Sequence, residues 1–188
     1  MFLLQMAGFP GSGKSTISKM IAQDMNVIVI DRDVIKTSMI NSKVPNEIVN
    51  NASYSVVFDL AKFYLGIDIS VIIDTPCYYE ETLNHGIEIA NIYGAKYKYI
   101  ECKVDDYSII EDRIRNRNRL ISQIEYTTKE RFNNASDKSK RPNNGNYLII
   151  NTNLEHDYNM KLIRKYLEEG TTKNGKVKAL VTSDDSII

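Results

Sequence analysis

Several features that would narrow the class of this protein are scarce or missing in its sequence. There are only two cysteines, Cys77 and Cys102, and neither lies at metal-ligand spacing from His85 or His156, so neither a disulfide framework nor a zinc site is expected. No apolar run approaches the length of a membrane span. The 24 Lys and Arg residues balance 24 Asp and Glu residues, so no overall basic field would attract nucleic acid or an anionic membrane. These absences favour a cytoplasmic protein with reduced thiols.

The amino terminus also lacks a basic region. Its short apolar run, residues 1–7, leads directly into a glycine-rich stretch, which predicts a core strand and not a signal peptide. With 188 residues, 43% of them hydrophobic, the chain is long enough for one α/β domain with a sizeable core.

The most specific motif is GFPGSGKST, residues 8–16, between an apolar run and an amphipathic stretch. Its glycines lack a Cβ, so successive backbone N–H groups can lie against phosphate oxygens. Lys14 can reach the β- and γ-phosphates, and the Ser15 hydroxyl is placed to bind Mg²⁺. A nucleoside triphosphate with Mg²⁺ is therefore the predicted ligand. The predicted nucleotide-binding residues are Gly8, Gly11, Ser12, Gly13, Lys14, Ser15 and Thr16.

A dinucleotide fingerprint is excluded, because Thr16 stands where a third Gly or Ala would be needed. Further strands are predicted at 27–30, 71–73, 96–104 and 147–150, and helices at 14–25, 80–93, 107–117 and 157–168. This alternation predicts a doubly wound parallel sheet, whose ligands bind outside the carboxyl ends of the strands.

Asp33 follows the second predicted strand and precedes Lys36 by three residues, so a helix beginning there would present an acid and a cation on one side. A catalytic role for Asp33 is favoured, because Asp31 and Asp33 both lie on the ligand side of the sheet. The alternative is that Asp33 is the N-cap of a helix over 34–40.

Asp74 ends another buried strand, as a Walker B acid does when it holds Mg²⁺. The alternative is a turn carboxylate before Pro76. Ser15 and Asp74 are therefore the predicted metal ligands.

Four arginines alternate along the run RIRNRNR, at positions 113, 115, 117 and 119. Arg115 has Glu111 one helical turn before it, whereas Arg113 has Ile109 there. Like charges at this spacing repel, and a bound anion would relieve the repulsion. Arg113 and Arg117 are therefore the preferred phosphate ligands, and a solvated charged face is the alternative.

Two other segments border the predicted site. A helix after Pro45 carries an apolar stripe at helical spacing, and its polar face, which includes Tyr54, could line an acceptor pocket. The polar segment 120–146 has weak periodicity, which predicts a mobile lid or a long loop. The last residues, 170–188, are expected to form an edge strand or a disordered tail.

Taken in order, GFPGSGKST, IDRDVIKTS, VIIDT and RIRNRNR resemble the P-loop kinases of the polynucleotide kinase, gluconate kinase-like, chloramphenicol phosphotransferase and zeta toxin group, a set of AAA family ATP-binding proteins. The resemblance covers residues 1–169. It implies an adenylate-kinase-like three-layer fold with strand order 2-3-1-4-5 and a lid over about 117–134.

The resemblance also implies roles for individual residues. Asp33 would be the general base, and Lys36 stands where polynucleotide kinase has an arginine that contacts the acceptor side. Lys36 cannot form the bidentate fork of that arginine. Arg113 and Arg117 would be lid arginines that act with Lys14 on the transferring phosphoryl group, and the adenine would lie near Thr152 and Asn153.

The predicted function is ATP-dependent phosphoryl transfer to a hydroxyl acceptor. The neutral charge balance favours a small molecule, with a polynucleotide 5′-hydroxyl as the alternative acceptor. A nucleotide-dependent regulatory ATPase is the alternative from another class, because a fold alone does not name a function.

Overall fold

The computed structural model describes residues 1–136 and 139–168. The predicted tail, 170–188, lies outside the described residues, and the proposed domain boundary at 169 stays a prediction. The strands are β1 (Phe2–Ala7), β2 (Val27–Asp31), β3 (Ser70–Asp74), β4 (Lys96–Lys103) and β5 (Leu148–Asn151). The helices are α1 (Lys14–Asp24), α2 (Arg32–Asn41), α3 (Asn46–Leu65), α4 (Glu80–Ile92), α5 (Tyr107–Asn116), α6 (Lys129–Ser136) and α7 (His156–Glu168).

All five strands are parallel and lie in the order β2-β3-β1-β4-β5, which confirms the predicted strand order. Because the strands are parallel, each crossover brings the chain back to the same end of the sheet. The carboxyl ends of all five strands therefore lie along one side of the molecule. The pairing aligns Asp31 with Asp74, and Lys103 with Asn151. The sequence-predicted polar strand ends are thus neighbours in the sheet.

Helices cover both faces of the sheet because neighbouring strand residues point to opposite sides. Leu4 contributes to a core shared with α1 and α7, whereas Leu3 contributes to a core shared with α3 and α4. The two cores make a three-layer α/β structure. Among the described residues, no helix combines the length and the apolar character that a membrane crossing requires.

The segment 120–146, predicted to be a mobile lid or a long loop, contains the two-turn helix α6 and is therefore not a long loop throughout, while its role as a lid stays a prediction. A third apolar cluster holds α6 against the P-loop and α5. The Phe132 ring meets the Phe9 ring edge to face, with their centroids 5.4 Å apart. The packing of Phe132 on Phe9, which is distant in sequence, therefore stabilises helix α6, whose mostly polar sequence gave no prediction of a helix.

Candidate active site

The loop between β1 and α1 has the backbone that a phosphate-binding loop needs. Gly8, Gly11 and Gly13 have φ angles of 130°, 86° and 90°. A Cβ on Gly8 would lie 2.3 Å from the Cys102 carbonyl oxygen, so no other residue fits there without movement of β4. The loop leads directly into α1, whose first-turn N–H groups and dipole favour an anion at the same place.

Lys14 is buried inside this loop. Its Nζ donates hydrogen bonds to the carbonyl oxygens of Gly8, at 2.9 Å, and Phe9, at 3.2 Å. Burial lowers the pKa of Lys14, and the nearby Asp74 carboxylate opposes that shift. The ammonium group therefore lies in a poorly solvated position where its electrostatic effect on a phosphate is strong.

Asp74 lies beside Lys14 at the end of β3 and is only 5% exposed. Burial raises the pKa of Asp74 to about 6, while the Lys14 charge and a hydrogen bond from Ser15 oppose the shift. Its Oδ2 atom is buried and has no hydrogen-bond partner among the described residues. A buried carboxylate oxygen without a partner, next to a serine hydroxyl, fits a divalent cation.

Within 1–136 and 139–168, no group of three or more His, Cys, Asp or Glu side chains is arranged to hold a metal. A cation at Ser15 and Asp74 would therefore take its other ligands from phosphate oxygens and water. This is the coordination that Mg²⁺ prefers when it binds with a nucleotide.

Asp31, and not Asp33, is the N-cap of α2. The Asp31 Oδ1 atom accepts hydrogen bonds from the backbone N–H groups of Asp33, at 2.8 Å, and Val34, at 3.4 Å. The helix accordingly begins at Arg32, two residues earlier than the capping alternative for Asp33 required. The Asp33 side chain is thereby free of a capping role.

Asp33 faces the other charged groups of the site. Its charge raises the pKa of Lys14, Lys36 and Arg117, although burial makes the larger, opposite contribution at each of them. Its Oδ2 atom accepts a 3.1 Å hydrogen bond from Gln123 Nε2, and its backbone oxygen accepts one from Ser122. The structure thus brings Asp33 together with the P-loop lysine and with the segment that follows α5.

The α5 arginines occupy three different environments. Arg113 donates hydrogen bonds to the Gly11 carbonyl, to Thr152 and to the Asn153 side chain. Arg115 is exposed and pairs with carboxylates of its own helix. Arg117 donates to the Ile124 carbonyl at 2.6 Å, and burial lowers its pKa. Of the two predicted phosphate ligands, Arg117 is therefore the one whose charge acts on Lys14 and Asp33.

Thr152 and Asn153, which were predicted to lie near the adenine, follow β5. Thr152 is buried, and its hydroxyl donates to the Ser12 carbonyl at 2.8 Å, so it stabilises the P-loop backbone by a direct hydrogen bond. Asn153 is exposed, and its side chain accepts a hydrogen bond from Arg113, which also donates to Gly11 of the P-loop. The three residues connect the end of β5 to the phosphate-binding loop.

A family model described as an AAA domain, AAA_33, matches residues 3–142 of the chain. The chain belongs to this AAA_33 family. The match includes the P-loop, both strand-end acids and the α5 arginines, and it confirms the resemblance to P-loop kinases at the level of family and fold.

Solved structures of similar fold agree with this family. A candidate kinase from Chloroflexus aurantiacus J-10-fl superposes with a TM-score of 0.71 at 18% identity, over 90% of this chain and 97% of that one. Mycobacterium tuberculosis APS kinase CysC in complex with AMPPNP and APS gives 0.61 at 14%, over 89% and 98%. Chaetomium thermophilum Kti12 in complex with ADP-AlF3 gives 0.62 at 16%, over 88% and 97%. At these identities the likeness shows the fold.

In this AAA_33 domain the predicted acceptor side lies between α2, α3 and the loop after β3. The Arg32 guanidinium lies 3.9 Å from the centroid of the Tyr54 ring and donates to Asn50. Burial lowers the pKa of the nearby Lys36, and the Arg32 charge lowers it further. Tyr54, predicted to line the acceptor pocket, therefore lies under a cation on the same side as Lys36.

Sequence reasoning missed Arg32, Gln123 and Tyr78. Burial raises the pKa of Tyr78 to about 12, with the Arg131 charge opposing and Tyr54 adding to the shift. Its hydroxyl is buried without a hydrogen-bond partner in the described part of the chain. Tyr78 and Gln123 belong to none of the four motifs. Arg32 lies inside IDRDVIKTS, between Asp31 and Asp33, and this position was the signal that could have found it.

Proposed function

We propose that this protein is an ATP-dependent phosphotransferase that moves the γ-phosphoryl group of ATP to a hydroxyl group of a small molecule. The observation that carries the proposal is the convergence of Asp33, Asp74 and Lys14 at the ends of adjacent strands. A nucleotide-binding site requires Lys14 and Asp74. Asp33 is a second acid, close enough to Lys14 to raise its pKa. Transfer to a hydroxyl group needs such an acid, because the hydroxyl must lose its proton.

The chemistry assigns one role to each group. The P-loop N–H groups and Lys14 bind the phosphates, and bound Mg²⁺, held by Ser15 and Asp74, would neutralise charge on the β- and γ-phosphate oxygens. The acceptor oxygen attacks the γ-phosphorus, the bond to the bridging oxygen breaks, and ADP leaves. Asp33 accepts the proton that the acceptor hydroxyl loses, and Arg117 stabilises the transferring group.

The acceptor side supports a compound with an anionic or electron-rich group. Arg32 and Lys36 occupy successive turns of α2, and no carboxylate lies within salt-bridge distance of either among the described residues. A polynucleotide 5′-hydroxyl, whose neighbouring phosphate these cations could bind, is the alternative acceptor. A regulatory ATPase would transfer the phosphoryl group to water, at a rate that no hydroxyl compound changes.

The test is ADP release from ATP and Mg²⁺ across nucleosides, 5′-hydroxyl oligonucleotides, sugars, nucleotide sugars, and aminoglycoside or phenicol antibiotics. Asp33→Ala is the test variant, and Asp59→Asn, an exposed acid of α3, is the matched control. We expect one class of compound to stimulate the wild type and Asp59→Asn but not Asp33→Ala. A flat response from a wild type that binds ATP would favour the regulatory ATPase instead.

A further inference from the structure

Hydrogen bonds join the loop after α5 to helix α2 at Asp33, the candidate base. Gln123 Nε2 donates to Asp33 Oδ2 at 3.1 Å, and Ser122 Oγ donates to the Asp33 backbone oxygen at 2.9 Å. Thr37, one turn further along α2, donates to Ser122 Oγ at 3.0 Å. The Ser122 backbone N–H also donates to Thr37 Oγ1 at 3.4 Å, so four hydrogen bonds join residues 85 to 90 positions apart in the chain.

The amide of Gln123 is oriented by its own loop. Its Oε1 atom accepts a hydrogen bond from the Leu120 backbone N–H at 3.2 Å, which leaves the NH₂ group to point toward Asp33. Arg119 donates to the Gln123 carbonyl oxygen at 3.1 Å. The loop therefore presents a donor to the carboxylate, and rotation of the amide would break two hydrogen bonds.

This arrangement leaves one oxygen of Asp33 for chemistry. Oδ2 is held by Gln123, while Oδ1 accepts no hydrogen bond from any residue that the structure describes. A carboxylate fixed at one oxygen presents the other in a single direction, which is what proton transfer from a positioned hydroxyl needs. The next residue, Ile124, is bound by Arg117, so one loop contacts both the acid and the arginine.

We propose that Gln123 is a positioning residue that orients the Asp33 carboxylate for phosphoryl transfer. The proposal rests on the proposed function, in which Asp33 accepts the acceptor proton. Gln123 acts through Asp33, and among the described residues none of its hydrogen bonds reaches the P-loop. Its loss should therefore lower kcat and leave the KM for ATP unchanged.

The contact can be observed directly, because the chain has only three glutamines, Gln5, Gln23 and Gln123. Selective ¹⁵N labelling of glutamine gives three side-chain NH₂ signals, and Gln123→Met identifies the Gln123 signal by its disappearance. We expect Asp33→Asn to move this signal and to leave those of buried Gln5 and exposed Gln23 in place. The Gln5 and Gln23 signals also report whether each variant is folded.

Function is tested by a double-mutant cycle on the initial rate of ADP release from ATP and Mg²⁺, with water as the phosphoryl acceptor. Gln123→Met keeps the length of the side chain and removes the donor, and we expect a loss of about tenfold in kcat, the value of a hydrogen bond to a charged group. Gln23→Met on the exposed face of α1 is the control. The double variant Asp33→Asn with Gln123→Met should be no slower than Asp33→Asn alone.

The outcomes separate the two proposals. Three results would each overturn the positioning role of Gln123. The Gln123 NMR signal could stay in place in Asp33→Asn, Gln123→Met could keep the wild-type kcat, or the losses in kcat could be additive in the double variant. A wild-type rate for Asp33→Asn would instead overturn the assignment of Asp33 as the base.

Discussion

At the scale of single residues, the site is built on two buried charges that stabilise each other. Burial lowers the pKa of Lys14 and raises that of Asp74 to about 6, and in each case the other residue opposes the shift. Each charge would cost more free energy without the other. A phosphate and a cation would thus enter a place where charges of both signs are already fixed.

Lys14→Met should abolish most of the turnover, and circular dichroism checks that the variant remains folded. The variant keeps the aliphatic stem but loses a preorganised charge, and we expect ADP formation to fall on the order of 10²- to 10³-fold. Lys19→Met, which changes an exposed lysine of the same helix, is the control. Turnover within twofold of wild type in Lys14→Met would contradict a phosphate-binding role.

At the scale of elements, α5 and its C-cap place arginines in different environments within two turns. Arg113 connects Gly11 to the segment after β5, whereas Arg117 lies at the C-cap next to Ile124. Arg115 between them forms ion pairs with Glu111 and Asp112 of its own helix. A single helix thus offers both test positions and a control.

We expect the three arginine variants to separate kinetically. Arg113→Met should raise the KM for ATP several-fold, because it releases the loop around Thr152, and should change kcat little. Arg117→Met should lower kcat by on the order of tenfold or more, because a charge near the transferring group is lost. Arg115→Met should behave as wild type. The steady-state kinetics of ADP formation check all three, and equal effects at 113 and 115 would contradict the assignment.

A salt bridge between Asp24 and Arg164 joins helices α1 and α7. Arg164 donates from Nε to Asp24 Oδ2 at 2.5 Å and from Nη2 to Asp24 Oδ1 at 2.6 Å. This hydrogen bonding lowers the pKa of Asp24 in the folded protein. The pair therefore contributes stability above the unfolded-state pKa of about 3.9, and this contribution is lost as the pH falls through the lower folded-state pKa.

Asp24→Asn should accordingly lower the thermal midpoint at pH 7 and have a progressively smaller effect below about pH 4. Thermal unfolding followed by circular dichroism at several pH values measures the difference. Asp59→Asn, which removes a pair within α3, is the comparison. A difference from wild type that is the same at pH 7 and pH 3 would contradict the role of the pair.

At the scale of the whole molecule, the balanced charge bears on the choice of acceptor. Proteins that bind nucleic acid through six to ten phosphate contacts lose roughly 10³- to 10⁵-fold in affinity between 50 and 200 mM salt. With a net charge of zero, this protein has no overall basic field to support that many contacts.

We therefore expect the affinity for a 5′-hydroxyl oligonucleotide to change by less than about tenfold over the same salt range. Fluorescence anisotropy with a labelled oligonucleotide measures this, and a nucleoside 3′-monophosphate, which carries the same free 5′-hydroxyl, serves as the competitor that controls for end recognition. A steep salt dependence would favour the polynucleotide alternative.

The sequence predicted the parts of this molecule that local patterns determine. Strands and most helices follow from apolar periodicity, and the P-loop follows from a motif whose glycines have the expected positive φ. Helix α6 was missed because Phe132 is buried by a distant partner, Phe9, and not by a stripe of its own. Gln123 was missed because its contact with Asp33 spans ninety residues and follows no spacing rule.

The alignment of Asp31 with Asp74 also bears on how new specificities arise. Sheet pairing fixes the ends of β2 and β3 side by side, whatever chain connects them. Residues 34–69, which form most of α2 and all of α3, lie between those ends and contribute Lys36 and Tyr54 to the acceptor side. Under the proposed function, we expect that replacing the exposed residues of this stretch, with its core residues kept, changes which hydroxyl compound is accepted and leaves the P-loop and Asp74 in place.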